Sequence, residues 1–410
     1  MAQPPHIVVV GGGISGLYAA LRLSERGHRV TVLEKEREMG GRAGTRVFAG
    51  TTIMTGAGVG RKDKDTRLCA LLKELDVPYT DFVVHQQYSR AFGDDEKEIS
   101  AAFVKRTFFD LRRTFKAAGS PRVTFKSFAE SVLGPEVYAR FVAASGYSDY
   151  EKEDVLDTLY HYGFDDNFTA WNAMGISWKD LVQALKKKCQ SRGRGVRMFC
   201  STEVLSLDRD ASSPNMSVEI KTNEHHKYIP CNGIVLATTV DTVRRLLPQF
   251  QIYRHIHGQP FLRIYGQFSK GCRDLVASAV STTTVVPGPL HKIIPMNPKK
   301  GIYMIAYSDN ADAKKVERIM NSKPKLCRLL ERSLGLSNSD QVLELLQTEL
   351  IPWPVGTHYY GVLPERFQTR RAFIKEAQHP AQNVYVVGEM VSMNQGWVEG
   401  ALESVDRLFS

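Results

Sequence analysis

A glycine-rich motif near the N-terminus has the spacing of a phosphate-binding turn. Gly11, Gly13 and Gly16 form G-x-G-x-x-G directly after the apolar run His6–Val10 and before an apolar segment with helical spacing. The first glycine permits a tight turn, the second lets backbone approach a pyrophosphate, and the third allows close helix–strand packing. The N-terminus of the following helix then faces the phosphates with its positive dipole end. The motif predicts a dinucleotide-binding turn.

A carboxylate follows at the distance expected for a ribose ligand. Glu34 comes directly after a second apolar run, Arg29–Leu33, and 18 residues after Gly16. A carboxylate in this place accepts hydrogen bonds from the 2′- and 3′-hydroxyls of a ribose. It also repels a 2′-phosphate, so NADP is disfavoured.

A second glycine turn favours FAD over NAD. Gly40, Gly41 and Arg42 follow the carboxylate closely. FAD enzymes use such a turn because the flavin half must be led away across the sheet, whereas NAD enzymes rarely need one. Arg42 either donates charge-assisted hydrogen bonds to the pyrophosphate or holds the loop.

These motifs together resemble a known family. Val8–Arg46 resembles the N-terminal signature of the flavin amine oxidase superfamily, which includes monoamine, polyamine and L-amino-acid oxidases and, more distantly, phytoene desaturases. Gly56–Gly60 resembles its glycine-rich loop near the isoalloxazine ring, and Val387–Glu389 with Gly396–Ala401 resembles its closing motif. The motifs and the resemblance assign FAD binding to Gly11, Gly13, Ile14, Ser15, Gly16, Glu34, Lys35, Gly41, Arg42, Gly58, Val59, Gly60, Val204, Ala237, Gly388, Glu389, Gly396, Trp397 and Val398.

The resemblance also implies which side chains face the substrate. Amine oxidases of this family often place two aromatic rings before the flavin, and Trp397 holds one of these positions. The other falls in a segment where His358, Tyr359 or Tyr360 can fill it. Thr357 stands where monoamine oxidases carry a cysteine that binds FAD covalently. Threonine cannot form a thioether, so we expect non-covalent FAD.

Arg263 departs from the family pattern. Many family oxidases hold a lysine beside flavin N5 through a water, and the matching stretch Phe261–Phe268 puts Arg263 there. Arginine stays protonated and is a poor base, although it can hold a water or a substrate anion. The alternating pattern predicts a strand on which Leu262 and Ile264 face away from Arg263.

An acidic block interrupts the basic chain. It comprises Asp149, Glu151, Glu153, Asp154, Asp157, Asp165 and Asp166, interleaved with Tyr147, Tyr150, Tyr160 and Tyr162. Either these carboxylates form a solvated face, or they attract a cationic amine.

The elements that position these residues predict an α/β fold. The strands and helices expected most clearly are 6–10, 14–26, 29–33, 103–117, 125–133, 137–145, 178–188, 196–199, 204–208, 217–222, 233–237, 384–387 and 400–409. The resemblance implies a discontinuous Rossmann-type, GR2-like FAD domain over 1–74, 195–249 and 346–410. An inserted α+β substrate domain would cover 75–194, mainly helical, and 250–345.

Composition sets few limits on partners. The net charge is +10, but the densest basic run, 186–197, lacks a recognised nucleic-acid motif, so no nucleic-acid partner is expected. The six cysteines show no C-x-x-C pair and no metal-ligand spacing. We therefore expect no metal site and a cytoplasmic or other reducing intracellular compartment. No stretch reaches the roughly 18 apolar residues that span a bilayer.

The expected function is an amine oxidase-like, FAD-dependent oxidoreductase that acts on a small-molecule amine, with hydride transfer to flavin N5 and oxygen as acceptor. Two alternatives stay open because of Arg263. One is a related desaturase or dehydrogenase, and the other is a redox-neutral flavoprotein. The sequence leaves the substrate and the oligomeric state open.

Overall fold

The computed structural model describes residues 3–93, 99–191, 195–209, 216–223, 225–336 and 342–409. The strands are β1 (His6–Val10), β2 (Arg29–Leu33), β3 (Thr45–Phe48), β4 (Thr51–Met54), β5 (Gly60–Arg61), β6 (Tyr79–Val84), β7 (Gln86–Tyr88), β8 (Trp171–Ile176), β9 (Val196–Phe199), β10 (Thr202–Arg209), β11 (Met216–Thr222), β12 (His225–Cys231), β13 (Gly233–Leu236), β14 (Ile256–Phe268), β15 (Thr283–Val285), β16 (Lys292–Asn297), β17 (Ile302–Asp309), β18 (Leu345–Tyr360) and β19 (Val384–Val386). The helices are α1 (Ile14–Glu25), α2 (Thr66–Glu74), α3 (Ala101–Ala117), α4 (Phe125–Leu133), α5 (Pro135–Ser145), α6 (Val155–Tyr160), α7 (Trp178–Gln190), α8 (Val240–Leu246), α9 (Arg273–Ala279), α10 (Asn310–Ile319), α11 (Lys323–Leu334), α12 (Arg370–Gln378) and α13 (Val398–Asp406).

A parallel sheet carries the N-terminal and C-terminal motifs. Its order is β19-β13-β1-β2-β9, and all four pairings are parallel. Its strands are near-continuous apolar runs, as expected for a sheet that is covered on both faces. Leu17 of α1, Leu185 of α7 and Leu402 of α13 pack on one face. The meander β10-β11-β12 and helices α8 and α12 cover the other face.

A six-stranded mixed sheet forms the second layer, with the order β18-β14-β17-β16-β15-β7. β14 pairs with β17 on one side and with β18 on the other, and Arg263 lies opposite Tyr307 of β17. Leu262 and Ile264 enter the apolar core beneath α10 and α11, whereas Tyr265 packs in a separate cluster with Phe48. The side chains therefore alternate between faces, as the sequence predicts, and Arg263 lies on the Tyr265 face.

Helices α3 to α6 form a layer with their own aromatic core. Phe108, Phe125, Phe141 and Phe164 are buried there, and the rings of Phe108 and Phe164 stack at 4.6 Å. These helices hold the acidic block against the six-stranded sheet.

The α/β class is confirmed, and most of the predicted elements lie within two residues of their observed bounds. The division into GR2-like and substrate domains stays a prediction, with two adjustments from the topology. β18 lies in the six-stranded sheet, although residues 346–360 were assigned to the FAD domain. α7, assigned to the helical insertion, packs on the parallel sheet. Within the described residues, no helix is both long and apolar enough to cross a bilayer.

Candidate active site

The predicted phosphate-binding turn lies between β1 and α1. Gly11 has φ +105°, and a Cβ there would lie 2.4 Å from the carbonyl oxygen of Ala237. A Cβ at Gly16 would lie 1.9 Å from the carbonyl oxygen of Gly11, so only glycine fits. At Gly13 the nearest atom to such a Cβ, the carbonyl oxygen of Gly40, is 4.0 Å away. The turn is closed around its first and third glycines and open at the second, as a pyrophosphate site requires.

The N- and C-terminal motifs meet at the start of α1. Gly13 caps the helix without a side-chain hydrogen bond, so the amides of the first turn need another acceptor. Ile14 and Ser15 are buried in that turn. Gly388 has φ +123°, a Cβ there would lie 3.8 Å from Ser15 Oγ, and its N–H donates to Ser404 Oγ of α13 at 2.8 Å. This junction suits an anion.

Glu34 is buried at the end of β2. Its Oε2 accepts the N–H of Gly12 at 2.7 Å, and its Oε1 accepts the N–H of Glu36 at 2.9 Å. These bonds orient the carboxylate, and each oxygen keeps a further acceptor site for a ribose hydroxyl. The side chain of Lys35 is exposed, and its Nζ lies 3.6 Å from Oε1 of Glu36. The ribose contact and the Lys35 contact stay predictions.

Four further residues are predicted to bind the cofactor. Gly41 has φ +56°, and a Cβ there would lie 3.4 Å from the Cα of Gly13. Val204 is buried on β10, and Val398 begins α13. Val59 is half-buried in the glycine-rich loop. Their contacts with a cofactor stay predictions.

Glu389 is the centre of a buried ionic network. Arg42 Nη1 donates to Glu389 Oε1 at 2.8 Å and to the carbonyl oxygen of Gly356 at 2.8 Å. His358 Nδ1 also contacts Oε1, and the N–H of Gly396 donates to Oε2 at 3.0 Å. Burial alone raises the pKa of Glu389, but His358, Arg42 and the Gly396 N–H hold that pKa well below its usual range. Arg42 therefore holds the loop, which was one of its two expected roles.

His358 joins this network to the parallel sheet. Its Nε2 accepts the N–H of Val240 at 3.2 Å, so its Nδ1 carries the proton that faces Glu389. With both ring nitrogens engaged and the ring buried, His358 has no nitrogen left for a covalent flavin bond. Its neighbour Thr357 accepts a hydrogen bond from Gln259 Nε2 at 3.0 Å.

The two tyrosines that follow are placed differently. Tyr360 is buried, its hydroxyl donates to the carbonyl oxygen of Ser392 at 2.9 Å, and its ring packs on Phe373. Tyr359 is half-buried and stacks on His257 with ring centroids 5.1 Å apart. Of the three candidates for the second aromatic position, Tyr359 is the one whose ring is half-buried and whose hydroxyl makes no hydrogen bond within the described part of the chain.

Trp397 stacks on a buried arginine that sequence reasoning missed. The guanidinium carbon of Arg61 lies 3.8 Å from the centroid of the Trp397 ring. Arg61 Nε donates a hydrogen bond to Asp65 Oδ1 at 2.9 Å, and Arg61 Nη2 forms an ion pair with the same oxygen at 2.7 Å. Arg61 directly follows Gly58 and Gly60 in the glycine-rich loop, which is the sequence signal that was available.

Arg263 is buried with an incomplete set of partners. Its Nη2 donates to the hydroxyl of Tyr307 at 3.2 Å, and its guanidinium carbon lies 4.8 Å from the centroid of that ring. Nη1 is buried and has no hydrogen-bond partner among the residues that the structure describes. A Cβ at Gly58 would lie 3.6 Å from Nη2. A buried donor without an acceptor is costly, so this guanidinium fits an anionic or carbonyl-bearing ligand beside the glycine-rich loop.

A small, partly enclosed cavity lies where the helical layer meets β18 and the segment that precedes Trp397. It is bordered by Asp149, Glu153, Asp157, His161, Tyr162, Gln259, Thr357, His358, Tyr359, Tyr360, Met393, Gln395 and Gly396. The cavity therefore joins the acidic block to the segment that precedes Trp397.

Three of its carboxyl groups are buried and hold protons more tightly than usual. Burial and the neighbouring Asp309 raise the pKa of Asp149 to about 7. Burial raises the pKa of Asp157 to about 6, although Arg370 opposes the shift. Burial and Asp157 raise the pKa of Glu153 well above its usual range. Strongly shifted carboxyl groups in a cleft mark a candidate functional site.

The acidic block thus divides into two parts. The cavity carboxylates are buried, contrary to the interpretation as a solvated face. Asp165 is exposed and pairs with Lys64 at 2.8 Å, as that interpretation expects. The six cysteines, all within the described residues, form no disulfide.

The fold and site define a mixed α/β protein with a dinucleotide-type turn beside a carboxylate-lined cavity. The sequence model of the family described as flavin containing amine oxidoreductase matches residues 14–407. The chain therefore belongs to the flavin-containing amine oxidoreductase family, and the predicted resemblance is confirmed.

Curated relatives match over short segments. The chain is 54% identical over 44 residues to L-amino acid oxidase Lm29 of Lachesis muta, which covers 11% of this chain and 8% of that protein. It is 55% identical over 51 residues to a phytoene dehydrogenase of Streptomyces griseus, covering 12% and 10%. It is 46% identical over 56 residues to polyamine oxidase 5 of Oryza sativa subsp. japonica, covering 14% and 11%. The aligned segments span about a tenth of each relative's length.

A solved structure matches the whole chain. A triple mutant of putrescine oxidase superposes with a TM-score of 0.74, covering 99% of this chain and 98% of that chain at 16% identity. The likeness shows that the two proteins share a fold.

Proposed function

We propose that this chain binds FAD non-covalently and oxidises the C–N bond of a cationic small-molecule amine. The observation that supports this most directly is the cavity wall of three buried carboxyl groups, Asp149, Glu153 and Asp157, which lies beside the flavin motifs. A cleft of one charge sign concentrates ligands of the opposite sign. Tyr162 and Tyr359 add aromatic surface to the same wall.

The residues present fit FAD. The turn is open at Gly13, the amides at the start of α1 need an acceptor, and Glu34 keeps acceptor capacity. Arg263 offers an unpartnered donor where a flavin carbonyl or an ordered water can accept it. Thr357 cannot form a thioether and His358 is already engaged, which supports non-covalent binding.

Bound FAD would supply the acceptor for a hydride from the α-carbon of the amine, with oxygen as the final electron acceptor and hydrogen peroxide as its product. The residues of the chain supply binding and orientation. Asp149 and Glu153 bind the ammonium group, whose positive charge favours their ionised forms, while Asp157 is held by Arg370 and supports the wall. A carboxyl with a pKa near 7 also accepts the proton that the amine must lose before hydride transfer. The imine product is hydrolysed by water to a carbonyl compound.

Purified protein tests the cofactor and the reaction together. We expect yellow protein from which acid releases FAD, identified by mass, and amine-dependent production of peroxide. Glu34→Ala is expected to weaken FAD retention, whereas Glu38→Ala, the same change at an exposed position, serves as the control. Flavin that stays with the denatured polypeptide contradicts non-covalent binding, and colourless protein that cannot be loaded with FAD contradicts the cofactor.

A dehydrogenase with another electron acceptor is the second candidate. Arg263 favours it, because arginine occupies the position of the lysine that many family oxidases hold near N5. Substrate-driven flavin reduction followed by slow reoxidation in air, without peroxide, would support this candidate. A hydrocarbon substrate fits poorly, since the cavity wall carries carboxyl groups.

A further inference from the structure

Helix α3 presents a cationic face around an exposed aromatic ring. Ser100 caps its N-terminus, and Val104, Phe108, Leu111 and Phe115 bury the inner stripe of the helix. The outer side of the helix, here called the α3 face, carries five exposed residues. Four of them are spaced by three or four positions, and the fifth, Arg106, is next to Lys105. The α3 face comprises Lys105, Arg106, Phe109, Arg113 and Lys116.

The exposure of Phe109 is high for a phenylalanine, at 48%. Four cationic side chains surround it, and the one carboxylate among them, Asp110, pairs with Arg113 at 2.9 Å. An amphipathic helix with cations around a projecting aromatic ring is the pattern of interfacial membrane helices.

Helix α6 extends this surface with apolar side chains. Leu156 and Tyr160 lie one helical turn apart and are 39% and 37% exposed. Arg112 joins the two helices, because its Nε donates to the carbonyl oxygen of Leu159 at 2.6 Å and its guanidinium carbon lies 5.1 Å from the Tyr160 ring centroid. The same guanidinium carbon lies 5.7 Å from the Phe109 ring centroid. Phe109 and Tyr160 therefore form one continuous, fixed surface.

The surface lies beside one edge of the substrate cavity. Asp157, on the inner side of α6, borders that cavity, and so does the exposed His161 directly after the helix. A partner bound at the α3 face would therefore lie near His161, one of the residues that border the cavity.

We propose that the α3 face, with Leu156 and Tyr160, docks this protein on the surface of an anionic phospholipid bilayer. Cations of the α3 face pair with anionic headgroups, while the three exposed apolar side chains enter the boundary between headgroups and acyl chains. A nucleic acid would engage the cations through phosphates but would leave those apolar side chains uncovered, so the lipid surface is the better fit.

Vesicle co-sedimentation of the FAD-loaded protein tests this docking. We expect binding to vesicles of phosphatidylcholine with phosphatidylserine, little binding to phosphatidylcholine alone, and weakening as salt rises. Each cation near the surface contributes about fivefold to partitioning, so Lys105→Gln/Arg113→Gln is expected to weaken binding roughly 25-fold. Phe109→Ala is expected to weaken it while the salt dependence is kept.

A charge-matched control lies on α7. Lys179 and Lys187 are exposed there, and Lys179→Gln/Lys187→Gln removes the same charge elsewhere on the protein. The control variant is expected to bind vesicles like the parent, and all variants should keep the flavin absorption and the thermal unfolding midpoint. Equal loss in both double variants would show a general charge effect and overturn the proposal. Absence of vesicle binding by the parent overturns it as well, and so does preferential competition by a DNA duplex.

Discussion

The two walls of the proposed site carry ionisable groups of opposite kinds. The wall formed by the glycine-rich loop and β14 buries the cations Arg61 and Arg263, whereas the wall formed by the helical insertion buries Asp149, Glu153 and Asp157. An anionic dinucleotide with an electron-accepting ring suits the first wall. A cationic amine suits the second. The arrangement places each ligand class against charges of the opposite sign.

Within each wall, some charges have protein partners and others do not. Arg61 is held by Asp65, and Asp157 is held by Arg370 at 2.6 Å. Among the described residues, Arg263 and Asp149 have no ion-pair partner within 4 Å; their hydrogen bonds are to the hydroxyls of Tyr307 and Tyr162. The partnered charges stabilise the walls, and the unpartnered ones are those that we assign to ligands.

The largest expected effect separates the two arginines of the first wall. Arg61→Met leaves Asp65 buried and unpaired, so we expect a loss of about 3–5 kcal/mol in the free energy of unfolding. Arg263→Met removes a buried charge that has no carboxylate partner, so we expect a change below about 1 kcal/mol. Urea unfolding of both variants with FAD in excess measures this. Equal destabilisation would show that the two arginines do not differ in role.

The next effect concerns flavin chemistry at Arg263. Removing one preorganised hydrogen-bond donor from a reacting site typically lowers the rate on the order of 100-fold. We expect a loss of this size for Arg263→Met, either in substrate-driven flavin reduction or in reoxidation. Arg263→Lys restores the residue that many family oxidases hold, and we expect faster reoxidation by oxygen. Stopped-flow absorbance measures both steps. Arg46→Met, at an exposed position, is the matched control, and three indistinguishable rates would remove Arg263 from the flavin site.

The smallest effect is a pH dependence of amine binding. The pKa of Asp149 is raised to about 7, so the group is mainly neutral at pH 6 and mainly ionised at pH 8. An amine that stays protonated over this range is expected to bind about tenfold more tightly at pH 8 than at pH 6. Asp149→Asn should bind weakly at both values. An unchanged pH profile in that variant would assign the dependence to another group.

The raised pKa of Asp149 also determines whether the stability of the folded protein rises or falls with pH. The pKa of Asp149 is higher in the folded protein than its ordinary value of 3.8. Between these two values the folded state binds more protons than the unfolded state, so this carboxyl lowers stability as pH rises from about 4 to about 7. Asp149→Asn is therefore expected to flatten that decline.

The glycine-rich turn after β1 could be predicted from sequence because its signals are local. Gly11, Gly13, Gly16 and Glu34 lie within one βαβ unit, where strand, turn and helix follow each other in the chain. The fold class and most helices and strands followed from short periodic patterns for the same reason. The boundary at 345/346 stays a prediction, and β18, which begins there, pairs with β14, a strand distant in sequence.

The substrate side could not be predicted to the same depth. Whether Asp149 and Glu153 are buried depends on how α6 packs on a sheet formed by distant residues. The engagement of His358 by Glu389 and Val240 depends on contacts across 31 and 118 residues. Neither contact leaves a pattern in the local sequence, so the sequence could not distinguish the environments of His358, Tyr359 and Tyr360.

Anaerobic flavin reduction tests the central claim most directly. FAD-loaded protein is mixed without oxygen with a panel of amines and diamines and with the alcohols of the same length, and the visible flavin absorption is followed. We predict bleaching by at least one amine, none by the matched alcohol, and slower bleaching in Asp149→Asn. Bleaching by the neutral alcohol as readily as by the amine, or none by any amine while dithionite still reduces the flavin, would contradict the account.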